Sequence, residues 1–493
     1  MAYMSSYKGQ NWLIPHSIND MIPKNHICFF VEEFVESLDF TGFDMINEGP
    51  GHPSYHPRII MKILLQGMLS KERSSRRLAS ACRENFVFMY LAEKVQPNFR
   101  TICRFRADNA KFIKEAFKET VKLASKNNLI DLSLICTDGS KVKANASKRK
   151  FLAKEQLDKL DSIIEDMIEE DLKQDELDNK ISEKEDNLTD LDTKNLKEIV
   201  RAYRKCKNKE KLKEKCKRAK EEFNKGIELK KVSLTDPDCR TVKYNSGASN
   251  VVYNTQFTVD AKNQIILAND VCQDVDDSRQ LEPQLKQTKE NIQLKEDTRL
   301  AADCGYSSGN NFRFLEDEGI IGYIPNKEQA KKKEQKLKFD NYEYDEETDE
   351  IISEGKRFRY SGTYYNKKDK YRFHRYRNKD FKLNRDVPEF FRERLRMKAR
   401  LETREGRITY DIRKFTVEPV IGNIKYNLGF REFLLRGLKN ARSEMNIAST
   451  AHNLKKIWKA KISLRVNRDI HEIIFEFLGC ELKIKCGTAC FLT

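Results

Sequence analysis

The stretch Cys136-Thr137-Asp138-Gly139-Ser140-Lys141-Val142-Lys143-Ala144-Asn145-Ala146, CTDGSKVKANA, follows the apolar run LSLIC and sets a carboxylate, a glycine and two lysines where that run stops. Residues 131–142 read as a buried strand with Asp138 at its end. An aspartate at the mouth of such a strand is costly unless something positive meets it. A metal ion, a basic partner or a turn hydrogen bond would each serve, and the stretch alone leaves the three open.

The rest of the chain narrows the choice. It has 493 residues, long enough for several domains with their own cores, and carries a formal net charge of +16. That balance points to a polyanionic partner, DNA or RNA, or else to a lysine-rich surface that serves solubility. No apolar run reaches the roughly 18–20 residues of a membrane span. The opening residues lack the basic-then-apolar order of a secretion signal. The 12 cysteines include no C-x-x-C pair, as expected of free thiols in a reducing cytoplasm.

Residues 1–130 read as a helical domain. HPRIIMKILLQGMLSKERSSRRLASACRENFVFMYLA has apolar residues at three- and four-residue spacing, with Ser74 and Ser75 placed to cap, and PNFRTICRFRADNAKFIKEAFKETVKLA repeats the pattern after Pro97. Short Arg-rich helices suit a helix-turn-helix module and an ordinary bundle equally. Residues 131–326 alternate strands and helices: VVYNTQFTVD and QIILANDVCQ form a hairpin around AKN, and TRLAAD and IIGYIP are strands that flank a serine-capped helix. They predict a mixed α/β sheet with helices on both faces. Two insertions interrupt it. Residues 150–232, acidic then basic, read as a charged helical hairpin. Residues 327–405, which alternate Tyr, Phe, Lys and Arg, read as short strands with a basic, aromatic face suited to phosphates and bases, or simply as a solvated β-insertion. Helices return at 406–465, before a tail at 466–493.

Three acids stand out by position: Asp138; Asp303 in LAADCGYSSG, after the fourth strand; and Glu418 in TVEPVIGNIK, which the adjacent Pro419 places near the start of a helix. Sites in open α/β sheets form at the carboxyl ends of strands, so Asp138 and Asp303 would converge if their strands are parallel neighbours. Gathered carboxylates repel unless cations neutralise them, and hard oxygen ligands select Mg²⁺ or Mn²⁺. Two such ions roughly 3.5–4 Å apart serve phosphodiester chemistry.

With these segments in view, the chain resembles bacterial insertion-sequence DDE transposases, in the branch whose C-terminal signature reads Tyr-Arg-Glu-Lys. The resemblance rests on HPRIIMKILLQGMLSKERSSRRLA, PNFRTICRFR, TDGSKVKANAS, YNTQFTVD, LAADCGY, YDIRKFTVEPVIGNIK and LRGLKNARSEMNIASTAHNLKKI, spread over residues 10–460. It implies a ribonuclease H-like catalytic domain with Asp138, Asp303 and Glu418 as metal-binding triad. It also implies two Mg²⁺ or Mn²⁺ ions, terminal inverted repeats and target DNA as partners, a homodimer on paired DNA ends and a location at the nucleoid. The signature falls on Tyr410, Arg413, Glu418 and Lys425. Lys425, two helical turns past Glu418, would reach a DNA phosphate, as would Arg413, Lys141 and Lys143. Four residues separate Arg413 from Glu418 where the signature usually has three. Relatives often carry cysteines in the region that is 327–405 here; this sequence has none, so no zinc is expected there.

The alternatives are a catalytically silent, transposase-derived DNA-binding protein and a ribonuclease H-like nuclease. The remaining candidates read as structural: Cys480, Cys486 and Cys490 lack a fourth zinc ligand, His452 and Asn453 pack or cap a terminal helix, and Asp270, Asp274, Asp276 and Asp277 cap turns. Asn254 and Gln256, on one face of the YNTQF strand, are placed to orient Asp138 or DNA.

Overall fold

The computed structural model describes residues 17–46, 54–176, 198–200, 209–225, 229–243, 247, 249–326, 342–345, 347–366 and 371–477. The chain divides into two compact units, one of residues 1–123, 427–429 and 446–493, the other of 124–426 and 430–445.

The first unit begins with helices α1 (Ile27–Glu36), α2 (Thr41–Ile46), α3 (Pro57–Leu69), α4 (Ser75–Glu84), α5 (Phe86–Leu91), α6 (Phe99–Asp108) and α7 (Ala110–Lys126). Their starts are written in the sequence. His26, His56, Asn85 and Asn98 each accept a bond from a first-turn amide of the following helix, and Pro57 occupies a first-turn position where its missing N–H costs nothing. The apolar stripes of α1 and α3 bury Val31, Phe34, Ile60 and Leu64. Lys62, 1% exposed, is tolerated in α3 because its ammonium lies 2.6 Å from Glu36 and 3.1 Å from Glu93.

In the second unit, β1 (Leu134–Lys143) is followed by β2 (Phe151–Leu152), α8 (Lys154–Glu176), α9 (Glu210–Phe223) and β3 (Val232–Ser233). β2 and β3 pair, closing the base of the insertion. Leu157, Leu160 and Ile164 of α8 pack with Leu212, Cys216 and Ala219 of α9, while Lys220 reaches Asp158 and Asp161 from the rim. Next come β4 (Arg240–Lys243), β5 (Ser249–Asp260), β6 (Ile266–Cys272), α10 (Leu281–Asn291), β7 (Arg299–Ala302), α11 (Gly309–Asp317) and β8 (Ile321–Tyr323). Ser308 caps α11, and Gly319 follows it at φ +68°, a left-handed conformation that suits glycine.

Among the described residues these strands form a mixed sheet in the order β4-β5-β1-β7-β8, with β6 also on β5. β1 runs antiparallel to β5 and parallel to β7, which is parallel to β8. β4 was not legible as a strand: Arg240–Lys243 is a short polar edge that pairs with β5 without an apolar run of its own.

A second, antiparallel sheet follows, in the order β13-β12-β11-β10-β9: β9 (Tyr342–Asp345), β10 (Glu350–Ser353), β11 (Lys356–Asn366), β12 (Tyr371–Asn378) and β13 (Leu383–Pro388). Ile351, Phe358, Tyr376 and Val387 make its core with Phe391. The remaining helices are α12 (Phe391–Glu402), α13 (Arg404–Gly422), running into a π-helical turn at Asn423–Asn427, and α14 (Leu438–Phe477).

Two positions differ from the sequence reading. Asp138 lies inside β1, which continues to Lys143 because Gly139–Lys143 pairs with Val252–Gln256 of β5. Glu418 lies near the end of α13, not its start, since the helix begins fourteen residues earlier and carries Pro419 in its interior. A proline there frees the carbonyl four residues back, that of Phe415. The Gln264 side-chain amide donates to that carbonyl at 2.8 Å and so satisfies it.

Candidate functional site

β1 and β7 are parallel neighbours with Thr137 opposite Ala302, so the next residues, Asp138 and Asp303, lie side by side. Asp303 caps the 3₁₀ turn Cys304–Tyr306, accepting from the Gly305 amide at 2.8 Å. α13 lies against β1 and brings in the third acid. Arg413, 9% exposed at its side chain, donates to Asp138 Oδ2 at 2.8 Å and to Glu418 Oε1 at 3.3 Å. One guanidinium thus bridges acids that are far apart in sequence, and Asp303 also acts on its charge. Burial opposes that charge, yet the carboxylates hold Arg413 above its usual value.

Burial dominates the acids as well. It pushes the Asp138 carboxyl from near 3.8 up to about 6, with Arg413 opposing and Asp303 reinforcing. Burial likewise raises Asp303, against the Gly305 amide and Arg413. Glu418 is half exposed. Tyr410 sits beneath Arg413, its ring centroid 5.6 Å from the guanidinium carbon, where a cation–π contact fixes the side chain's plane. Lys425, in the π-helical turn, donates to Ser140 Oγ and to the Lys141 carbonyl, and burial lowers its pKa against the pull of Asp138.

Lys141 and Lys143 point to other partners. Lys141 Nζ lies 3.1 Å from Asp277, and exposed Lys143 lies 2.9 Å from Glu432. Asp277 is the residue that sequence reading missed. Of the four aspartates taken as caps, Asp276 caps Ser278, Asp274 accepts from the Gln280 side-chain amide and Asp270 pairs with Arg442; Asp277 instead accepts from Asn254 Nδ2 at 2.6 Å and Gln256 Nε2 at 2.7 Å. Asn254 and Gln256 therefore orient Asp277, not Asp138. The signal was present: two amides on a buried strand require acceptors. Gln256 also accepts from the Tyr306 hydroxyl, which ties the turn after Asp303 to the strand beside Asp138. His452 and Asn453 are buried in α14, where Asn453 donates to Thr120 at 3.0 Å. Cys480, Cys486 and Cys490 lie outside the described residues.

Gly139 makes room for this network. A Cβ there would stand 2.5 Å from Gln256 Nε2 and 2.7 Å from Asp277 Oδ1. Gly139→Ala is expected to cost about 1–3 kcal/mol by overpacking, read as a lower urea midpoint with unchanged slope.

Known proteins share parts of this chain. A family model described as "Transposase domain (DUF772)" matches residues 16–108, and one described as "Transposase DDE domain" matches residues 367–458. Together they support a transposase. The DDE match covers Tyr410, Arg413, Glu418 and Lys425, whereas Asp138 and Asp303 lie outside both matches. A search of curated proteins finds no match. Transposase domains imply DNA as the general partner, and no helix among the described residues is long and apolar enough to cross a membrane.

Proposed function

We propose that this chain binds the terminal inverted repeats of an insertion sequence, hydrolyses a phosphodiester there to free a 3′-OH, and directs that hydroxyl onto target DNA. The observation that carries the reading is that Arg413 joins Asp138 to Glu418, with Asp303 next to Asp138 across the β1–β7 pair. The sheet supports it: β6, β5 and β1 run antiparallel in sequence, and β7 and β8 continue parallel to β1, an order that fits a ribonuclease H-like domain.

DDE transposases usually use divalent metals. Among the described residues no three His, Cys, Asp or Glu side chains are gathered closely enough to share an ion, and Arg413 spans Asp138 and Glu418 instead. The donor chemistry nevertheless fits. All three side chains offer hard oxygens, and the buried Asp138 carboxyl, raised to about 6, is a group that added positive charge would stabilise. Asp138, Asp303 and Glu418 would hold the ions. Bound Mg²⁺ or Mn²⁺ supplies activation of a water or hydroxyl and neutralisation of the leaving oxygen. Tyr410 fixes the plane of Arg413, whose fork suits a phosphate once it leaves the acids. Ser140 and the Lys141 carbonyl hold the Lys425 ammonium beside Asp138, as a second donor to the scissile phosphate. Strand transfer of two ends calls for two copies on the DNA.

The test is a duplex carrying the DNA that flanks the coding sequence, incubated with protein and Mg²⁺. Nicks with free 3′-OH ends, followed by joining to a second duplex, are expected. Cleavage confined to RNA–DNA hybrid, or none of any substrate, would overturn the reading.

A further inference from the structure

We propose that an open cavity of about 430 Å³ between the first turns of α4 and α6 seats one phosphate of the DNA backbone. This rests on the reading of DNA as partner. Arg76, Arg100 and Arg104 line the cavity around Phe99. The Phe99 ring carries two of the guanidiniums, with Arg76 at 4.9 Å and Arg100 at 5.9 Å from its centroid. Arg104 follows Arg100 by one helical turn and therefore lies on the same face of α6. Cation–π contacts anchor the planes of Arg76 and Arg100 while leaving their N–H edges directed away from the ring, toward an anion.

Among the described residues none of the three has an ion-pair partner, although the adjacent Arg77 reaches Glu72. Five arginines of the β-rich insertion, whose composition suits a nucleic-acid surface, are the reverse case. There Arg357 and Arg359 pair with Glu350, Arg375 with Asp386, Arg385 with Glu354 and Arg392 with Asp349. Arginines already answered by carboxylates attract a polyanion weakly, whereas three unanswered guanidiniums around one cavity repel one another until an external anion joins them. The fork geometry of arginine matches phosphate oxygens. The ligand class is thus the phosphodiester, and the site is expected to be indifferent to base sequence.

The full chain is titrated by fluorescence anisotropy with a labelled duplex of about 30 base pairs, without metal, over a range of NaCl concentrations. The triple variant Arg76→Gln/Arg100→Gln/Arg104→Gln is expected to bind at least about tenfold more weakly at about 100 mM salt. Its slope of log K against log salt should fall by about 1, the value for one lost phosphate contact. The triple Arg→Lys variant, which keeps the charge and loses the fork, should bind with intermediate affinity. Arg357→Gln/Arg359→Gln in the insertion should match wild type. Unchanged binding by the triple Gln variant while its melting curve stays wild-type, a slope loss near 3, or a larger defect in the insertion variant would each overturn the proposal. Should the Gln variant fail to fold, wild-type-like binding by the Lys variant would do the same. Competition by inorganic phosphate beyond that of chloride at equal ionic strength, lost in the triple variant, would assign the cavity to free phosphate instead. Absence of DNA binding by wild type would overturn the wider DNA reading too, whereas normal binding by the variants overturns only this site.

Discussion

Asp138→Asn is expected to reduce Mg²⁺-dependent strand cleavage by at least about 1,000-fold, because residues that act as one unit fail together when any member is lost. Asp303→Asn should do the same, and the double variant should be little worse than either single one. The variants should nevertheless fold. In the absence of metal, ionised Asp138 is a buried carboxylate whose pKa has risen from near 3.8 to about 6. The sign follows from proton binding: between those values the folded state holds a proton that the unfolded state has released. This group's contribution is therefore most favourable below about pH 4 and declines as pH rises to about 6, by about 3 kcal/mol in all. The Asp138→Asn substitution removes that dependence while also taking from Arg413 its closest carboxylate, so the variant's urea midpoint should vary less between pH 4 and 6 than that of wild type. Urea midpoints at pH 4, 5, 6 and 7 for both proteins, beside cleavage rates at pH 7, check both halves. A variant that retains cleavage would remove Asp138 from the chemistry.

Arg413→Ala carries the second large effect. Arg413 bridges Asp138 and Glu418, and deleting one partner of a buried pair leaves the other charge uncompensated. The expected loss in metal-free protein at pH 7 is about 3–5 kcal/mol. Without the guanidinium the Asp138 pKa rises further, so the variant keeps its proton at pH 7 while wild type releases its own near pH 6, and the loss at pH 5 should be smaller by up to about 1.4 kcal/mol. Added Mg²⁺ should restore more stability to the variant than to wild type, since in the variant it meets acids without a competing cation. Urea denaturation at two pH values, with and without Mg²⁺, reads this directly. An equal loss at both pH values would show that Arg413 acts by packing, not by answering charge.

The periodicity of residues 57–126 located the first helices because their apolar stripes and caps are local properties of the chain. The β5–β6 hairpin was legible for the same reason, as two apolar runs with a short polar turn between them. Glu418 was singled out but placed at the wrong end of its helix. Pro419 is a start signal by local rules, whereas the structure carries it inside the helix, where the distant Gln264 amide donates to the Phe415 carbonyl that the proline frees. Asp277 was lost for a related reason. In sequence it is one of several aspartates after a strand, and its donors Lys141, Asn254 and Gln256 come from β1 and β5.

By itself the sequence determined the N-terminal helices and the β5–β6 hairpin, that the protein is strongly basic, and which acids were worth following. Only the tertiary structure decided that β1 and β7 are parallel neighbours, that Arg413 joins Asp138 to Glu418, and which arginines are answered by carboxylates among the described residues. Helical and strand periods and caps act over a few residues and leave their mark on the local pattern. Ion pairing and burial depend on groups hundreds of positions apart, and a charge has no fixed meaning until its neighbours in space are known.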